Sequence, residues 1–188
     1  MIQAIRAFFE ANGYLHVETP CLIPAPAPEA HIDAIRAGDL YLQPSPELCM
    51  KRLLAAGFSR IFQISKCFRD KERGTLHLPE FTMLEWYRTG IDYTVLMEEC
   101  QDLFLFVCES LHLQEPVCYG GRDIDFRPPW ERLSVEDAFK SLASIPLKEA
   151  LEKDLFEEVM VAEIEPHLVW GKPTFLFDYP ASMAALAR

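Results

Sequence analysis

The sequence predicts an α+β fold in which helices flank a mainly antiparallel sheet. Residues 60–65 and 80–88 have the alternating side chains of strands, and only a charged loop separates them, which favours antiparallel pairing. Segments with helical periodicity stand irregularly between the strands, whereas regular alternation would indicate a parallel sheet. With 188 residues, half of them apolar, the chain can bury a substantial core, and one domain is expected.

The first 88 residues carry the clearest sequence signals for the ends of helices and strands. Apolar residues of 2–12 share one face of a helix, and Gly13 is placed to end it. Ser45 before Pro46 has the residue types of a helix N-cap followed by a first helical position. The predicted elements are a helix over 2–12, a strand over 14–19, an extended connector over 24–30, a strand over 40–43, a helix from 45 to about 57, and strands over 60–65 and 80–88.

The remaining residues predict three helices and a strand. Ser134-Val-Glu-Asp137 resembles a capping box, in which a serine hydroxyl accepts a hydrogen bond from the amide three residues further on. The predicted segments are a helix over about 94–112, a turn-rich stretch over 115–130, a short helix after Ser134, an acidic helix over 149–164 and a strand over 174–177.

Composition limits the classes of partner. Eighteen basic and twenty-nine acidic residues give a formal charge of −11, which argues against holding DNA or tRNA by net charge alone, although a local basic patch is compatible with it. The six cysteines form no metal-ligand spacing, so we expect free thiols in a reducing cytoplasm and no metal site. No segment approaches the roughly 18 apolar residues of a membrane span, so no membrane contact is expected.

The strand over 80–88 has an unusual face. Side chains alternate along a strand, so Phe81, Glu85 and Tyr87 share one face, and the face that carries Trp86 is ordinary core. A carboxylate among hydrophobes needs a partner, and the ammonium group of a ligand would provide one. The alternative is a solvated sheet edge at which Glu85 meets water or a lysine.

The loop before this strand concentrates cations. Arg69 follows an apolar strand, so its guanidinium is expected to project from the strand end, where it suits phosphate or carboxylate. Lys71, Arg73 and His77 would extend this anion site. A solvated charge run is the alternative, because acidic residues alternate with the basic ones.

A second carboxylate belongs to a helix start. Ser45-Pro46-Glu47 places Glu47 in the first turn, where the helix dipole favours a negative charge with or without a ligand. No Gly-rich P-loop or Rossmann fingerprint is present, so a nucleotide site would use another arrangement.

Taken together, these segments resemble the class II aminoacyl-tRNA synthetases of the lysine branch. Residues 2–28, with Gly-Tyr-Leu-His-Val-Glu-Thr-Pro, look like motif 1, the dimer-forming element of that family, and residues 60–88 look like motif 2. Within the branch, Pro-Glu-Phe-Thr-Met-Leu-Glu-Trp-Tyr-Arg over 79–88 is closer to the short paralogues that ligate lysine onto elongation factor P. Residues 172–182, the terminal Ala-Leu-Ala and a start at motif 1 without a preceding anticodon-binding barrel also resemble those paralogues.

The resemblance implies a role for each matching position. Arg69 would contact the α-phosphate of ATP and the carboxylate of lysine, Phe81 would stack on adenine, and His77 would lie near the phosphates. Glu47 would receive the α-ammonium of lysine. The residues implied for the amino-acid pocket are Ser45, Glu47, Glu85 and Tyr87.

The resemblance also implies the reaction and its partners. The carboxylate of lysine or β-lysine would attack the α-phosphorus of ATP and expel pyrophosphate, with Mg²⁺ offsetting charge. A lysine of elongation factor P, rather than tRNA, would then take the acyl group, in a cytoplasmic homodimer formed through motif 1. A lysyl-tRNA synthetase core and a non-catalytic paralogue that binds nucleotide or a partner are the alternatives.

Three features depart from the family pattern. Lys71 stands where the family usually has glutamate, with Glu72 one step later, and Leu78 replaces an asparagine. The chain ends at Arg188, before motif 3 would supply a second ATP-binding arginine. Residues 1–188 are therefore expected to be the N-terminal part of a catalytic domain, incomplete at the C-terminus.

Overall fold

The computed structural model describes residues 1–28, 32–113, 116–168 and 171–183. Contacts within the chain divide it into two compact units, Ile2–Asp92 and Tyr93–Arg188. The last residues of the connector predicted over 24–30 and the terminal Ala-Leu-Ala lie outside the described residues. That the chain is part of one catalytic domain stays a prediction.

The first unit combines two small sheets with two helices. Its elements are α1 (Ile2–Ala11), β1 (Leu15–His16), β2 (Leu22–Ile23), β3 (Arg36–Ala37), β4 (Leu40–Leu42), α2 (Glu47–Ala55), β5 (Arg60–Phe68) and β6 (Glu80–Arg88). The predicted helices and the strands over 40–43 and 80–88 are confirmed, and β5 is longer than predicted. The strand predicted over 14–19 is shorter, although Val17 continues its pairing by donating its N–H to the carbonyl of Phe62 at 2.9 Å.

The long hairpin of β5 and β6 is the main element of this unit. The two strands pair antiparallel along their whole length, from Arg60 opposite Arg88 to Phe68 opposite Glu80. β1 pairs with the other edge of β5 in parallel, and β4 lies between β2 and β3 in a separate antiparallel sheet. Because residues directly opposite each other share a face, the register decides which β5 side chains stand beside the unusual face of β6.

Aromatic rings bury the other face of this hairpin. Phe9 of α1 is 1% exposed and stacks on Phe62 with ring centroids 4.9 Å apart. The Tyr14 ring meets the Phe9 ring edge-on with centroids 5.1 Å apart, and the centroid of the Trp86 ring lies 5.5 Å from that of Phe9. The face of β6 predicted as core therefore packs against the core at Trp86, which is partly buried, whereas Thr82 near the start of the strand is exposed.

The second unit contains more helix. Its elements are α3 (Tyr93–Ser110), β7 (Val117–Tyr119), β8 (Arg122–Ile124), β9 (Glu131–Ser134), α4 (Val135–Leu142), α5 (Leu147–Glu152), α6 (Phe156–Val159), a π-helical turn (Met160–Ile164), α7 (Glu165–Leu168), β10 (Thr174–Phe177) and a 3₁₀ turn (Ala181–Met183). The capping role of Ser134 is confirmed, because its hydroxyl accepts from the amide of Asp137 at 3.1 Å. The core packs α4 against α5, α6 and the π-helical turn around Phe139 and Phe156.

Strand pairing supports the predicted α+β class, and it also shows parallel pairs and a hairpin that the sequence did not predict. In the described residues four of six pairings are antiparallel, but β1 with β5 and β9 with β10 are parallel. The hairpin of β7 and β8 lies within the stretch predicted only as turn-rich. Gly120 and Gly121 join its strands with positive φ values of 59° and 78°, which a two-residue hairpin turn requires and glycine supplies.

The prediction of one helix over 149–164 is wrong. Asp154 adopts a left-handed conformation with φ of 56°, and the amide of Leu155 bonds back to the carbonyl of Ala150 at 2.8 Å. This closure ends α5, because aspartate is among the few non-glycine residues that tolerate the left-handed region. None of the described helices is both long enough and apolar enough to cross a membrane.

Replacing Phe9 with alanine is expected to lower the free energy of unfolding by about 3–5 kcal/mol, since the cavity left among Phe62, Tyr14 and Trp86 cannot close completely. Chemical denaturation monitored by tryptophan fluorescence measures the change. Phe58→Ala is the matched control, because Phe58 is 42% exposed, and we expect it to cost less than about 1 kcal/mol. Equal losses in the two variants would contradict this core.

Candidate active site

The carboxylate of Glu85 joins three of the residues predicted for an amino-acid pocket. Its Oε1 accepts from the hydroxyl of Ser45 at 2.5 Å, and its Oε2 accepts from the hydroxyl of Tyr87 at 3.2 Å. Ser45, Glu85 and Tyr87 thus lie together, although Ser45 is 40 residues away in sequence from Glu85. Because both carboxylate oxygens accept from protein hydroxyls, Glu85 is not simply a solvated residue at a sheet edge.

The start of α2 joins this cluster through Ser45. The Ser45 hydroxyl also accepts from the amide of Glu47, the first residue of α2, at 3.0 Å, so one oxygen bonds both to the helix start and to Glu85. The N-cap predicted at Ser45 lies instead at Pro46, which has no side-chain cap because proline carries no acceptor there. The carboxylate of Glu47 is already paired, since the Lys51 ammonium one helical turn away contacts its Oε1. The expected receiver of the α-ammonium of lysine therefore has an internal cation as its partner.

Burial and negative charge shift two acidic groups on this face. Burial, followed by the charges of Glu85 and Glu47, raises the pKa of the Tyr87 phenol well above its usual value. Burial also raises the pKa of the Cys67 thiol to about 11, with Glu85 raising it and Arg69 lowering it. Tyr87 is therefore a hydrogen-bond donor at neutral pH, and the charges of Glu85 and Arg69 both act on Cys67.

The residues predicted to bind ATP lie at the loop end of the hairpin. Arg69, Phe81 and His77 come together there and line a cavity of about 180 Å³ with Glu72, Leu76 and Leu78. Small-molecule pockets usually exceed about 300 Å³, so this cavity could take only part of a nucleotide. The Arg69 guanidinium lies 5.1 Å from the centre of the Phe81 ring, too close for a base to fit between them.

The loop between the strands turns Glu72 towards Arg69. Lys71 adopts a left-handed conformation with φ of 60°, and its ammonium bonds to Asp33 at 2.9 Å. The chain then turns so that Glu72 Oε1 lies 3.7 Å from Arg69 Nη1. An acidic side chain one step later than in the family pattern therefore still faces the arginine.

Sequence reasoning missed two glutamines close to this site. Gln43 and Gln63 are both buried, and the amide nitrogen of Gln43 donates to the carbonyl of Lys66 at 2.9 Å. Gln63 lies on β5 directly opposite Glu85. The alternation of β5 was readable in the sequence, but its register against β6 was not, so nothing indicated that Gln63 and Glu85 share a face.

The described residues contain no group of three or more His, Cys, Asp or Glu side chains placed to hold a metal ion. The Mg²⁺ implied by the resemblance stays a prediction, since this ion is usually held by one or two carboxylates together with substrate phosphates.

Comparison with known proteins agrees with this geometry. The family model described as tRNA synthetases class II (D, K and N) matches residues 1–188. The chain belongs to this family. Its α+β architecture, with a long antiparallel hairpin carrying the site, is consistent with a class II synthetase domain.

The relatives of this synthetase-family chain are named either as ligases for elongation factor P or as lysine–tRNA ligases. It is 37% identical over 203 residues to the elongation factor P–(R)-beta-lysine ligase of Hamiltonella defensa, an alignment that covers 100% of this chain and 62% of the relative. It is 34% identical to the lysine–tRNA ligases of Clostridium perfringens over 218 residues and Dehalococcoides mccartyi over 215, covering 100% of this chain and 43% of each relative. The chain thus spans roughly half the length of these curated relatives.

The raised pKa of Tyr87 predicts a stability loss in alkali. The folded phenol stays protonated where the unfolded chain ionises, so its contribution is complete below the ordinary tyrosine value of 10.0 and is lost as the pH rises above it. We expect the free energy of unfolding to fall less steeply above about pH 10 in Tyr87→Phe than in the unaltered protein. Urea denaturation across this pH range measures the slopes.

Tyr119→Phe is the control for this measurement, because Tyr119 is exposed and lies in the other unit. It is expected to keep the slope of the unaltered protein. A Tyr87→Phe slope equal to that of Tyr119→Phe would contradict the environment assigned to Tyr87.

Proposed function

We propose that this chain is part of an ATP-dependent ligase that activates lysine as an adenylate and transfers it to a lysine of elongation factor P. The observation that carries the proposal is the partly buried carboxylate of Glu85, which the hydroxyls of Ser45 and Tyr87 hold on the hairpin whose loop carries Arg69. Membership of the class II synthetase family supports adenylate chemistry. The name of the Hamiltonella defensa relative supports the acceptor.

In this proposal, the loop end of the hairpin binds ATP and the part around Glu85 binds the side chain of lysine. Phe81 and Glu85 are four residues apart on one strand, about 13 Å by the rise of an extended chain, a span that suits a lysyl adenylate. Arg69 would bind the α-phosphate and the substrate carboxylate and offset the charge that develops as the carboxylate oxygen attacks phosphorus and pyrophosphate leaves. Glu85 would neutralise the side-chain ammonium of lysine, while Tyr87 and Ser45 hold the carboxylate of Glu85 in place.

Transfer then needs a second amine. The neutral ε-amine of an acceptor lysine attacks the acyl carbon of the adenylate, an amide bond forms, and AMP leaves with the electron pair of the broken acyl–phosphate bond. Entry of ATP requires the guanidinium of Arg69 to leave the face of the Phe81 ring that it covers, or adenine to use the opposite face. His77, which lines the same cavity, would then lie near the phosphates.

We also propose a cytoplasmic homodimer formed through motif 1. Ile2 of α1 and Leu15 of β1 are apolar and exposed, which fits a surface that a second copy covers. The described cysteines are free thiols, in keeping with a reducing compartment.

Arg69→Ala is expected to reduce lysine-dependent ATP–pyrophosphate exchange by the full-length protein by about 100-fold or more, because it removes the cation aimed at the developing charge. Arg52→Ala is the matched control, since Arg52 is exposed on α2 away from the proposed contacts, and it should keep normal exchange. No lysine-dependent exchange in the unaltered protein would refute the activation step.

The acceptor is tested with radiolabelled lysine, ATP and the full-length protein. We expect label on elongation factor P and none on lysine tRNA, and an elongation factor P whose acceptor lysine is replaced by alanine should stay unlabelled. Label on tRNA alone would favour the lysyl-tRNA synthetase reading, which the names of the Clostridium and Dehalococcoides relatives support. Nucleotide binding without label on either acceptor would favour a non-catalytic paralogue.

A further inference from the structure

Gln63 is a buried polar side chain whose amide oxygen has no hydrogen-bond partner among the described residues. The residue is 2% exposed, and the amide oxygen itself is buried. Buried acceptors are nearly always satisfied in folded proteins, so an unsatisfied one calls for an explanation. The explanation has to lie on the face of β5 that Gln63 occupies.

The register places Gln63 on the proposed amino-acid side of the site. It stands directly opposite Glu85 in the antiparallel pair, and opposite residues share a face with Cβ atoms about 4.5–5.5 Å apart. The hydroxyls of Ser45 and Tyr87 each donate their single hydrogen to Glu85, so neither donates to Gln63. This face therefore offers a carboxylate and, beside it, a carbonyl oxygen still in need of a donor.

An ammonium group fits this combination better than other side-chain groups. It carries three N–H donors and a positive charge, so it can be neutralised by a carboxylate while it donates to a neighbouring carbonyl. An apolar side chain of similar length would leave the amide oxygen of Gln63 unpaired and the charge of Glu85 without a cation, and sites with unpaired buried polar groups reject such analogues strongly.

We infer that Gln63 is a specificity-determining residue that accepts a hydrogen bond from the side-chain ammonium of bound lysine, whose charge Glu85 neutralises. The inference rests on the proposed lysine-activating function and adds to it the residue that separates lysine from apolar amino acids of the same length. The amide oxygen of Gln43 is also buried without a hydrogen bond among the described residues, but Gln43 does not lie opposite Glu85, and its amide nitrogen has a structural bond to the carbonyl of Lys66.

The test compares Gln63→Met with Gln43→Met in the full-length protein. Methionine keeps the length of glutamine and removes the amide. For Gln63→Met, the KM for lysine in ATP–pyrophosphate exchange should rise about tenfold or more, the effect of losing a hydrogen bond to a charged group. The KM for ATP should stay within about twofold and the melting temperature should not fall, because the amide oxygen has no bond to lose in the free protein.

Two further readouts separate specificity from structure. The preference for lysine over norleucine, which lacks the side-chain ammonium, should fall with Gln63→Met. Gln43→Met should instead lower the melting temperature, since it loses its bond to Lys66, without a selective effect on lysine. A Gln63→Met variant with an unchanged KM for lysine, or with the KM values for lysine and ATP rising together as the melting temperature falls, would overturn the inference.

Failure of the proposed function is recognised separately. If the unaltered protein shows no exchange, calorimetric titration with lysine compares it with Gln63→Met. Binding at least about tenfold weaker in the variant would uphold the role of Gln63 without the reaction. Equal affinity, or no binding by the unaltered protein, would overturn it.

Discussion

The antiparallel register of β5 and β6 is the constraint on which the rest of the site depends. It sets Gln63 opposite Glu85 and Cys67 opposite Phe81, and it returns the chain so that Arg69 and Phe81 meet at one end. A slip of one residue would move every side chain of one strand to the other face. The packing of Phe9 against Phe62 and Trp86 makes such a slip costly, because it would expose the aromatic core. The core of this unit therefore also aligns the site.

A single hydroxyl connects the helix to this sheet. Ser45 accepts from the backbone at the start of α2 and donates to Glu85. A partly buried carboxylate needs donors to remain charged away from water, and hydrogen bonds to charged groups contribute about 1.5–3 kcal/mol each. The same bond fixes the start of α2, and with it Glu47, relative to the sheet. The position of the helix start and the geometry of the site thus depend on the same hydroxyl.

Local patterns in the sequence were enough for most elements and for the odd face of β6. Alternation alone put Phe81, Glu85 and Tyr87 together, and the Ser45-Pro46 pair marked the start of α2. Pairing partners are not local, so the position of Gln63 and the parallel contact of β9 with β10 could not be read in advance. The break at Asp154 was missed because no glycine signals it. Two further local signals are present in the sequence: Gly120-Gly121 indicates a two-residue hairpin turn, and the four-residue spacing of Glu47 and Lys51 indicates an ion pair on a helix.

The pairing of Lys51 with Glu47 gives the site an internal competitor. The group that Lys51 offers is chemically the group that a lysine substrate would bring, and it is tethered one helical turn from its carboxylate. An ion pair at this spacing on a helix surface contributes only about 0.3–0.5 kcal/mol, and Lys51 contacts one of the two carboxylate oxygens. If Glu47 receives the ammonium of an amino acid, as proposed, that ligand meets a carboxylate whose charge is already partly neutralised, and Lys51 yields its place at little cost in free energy.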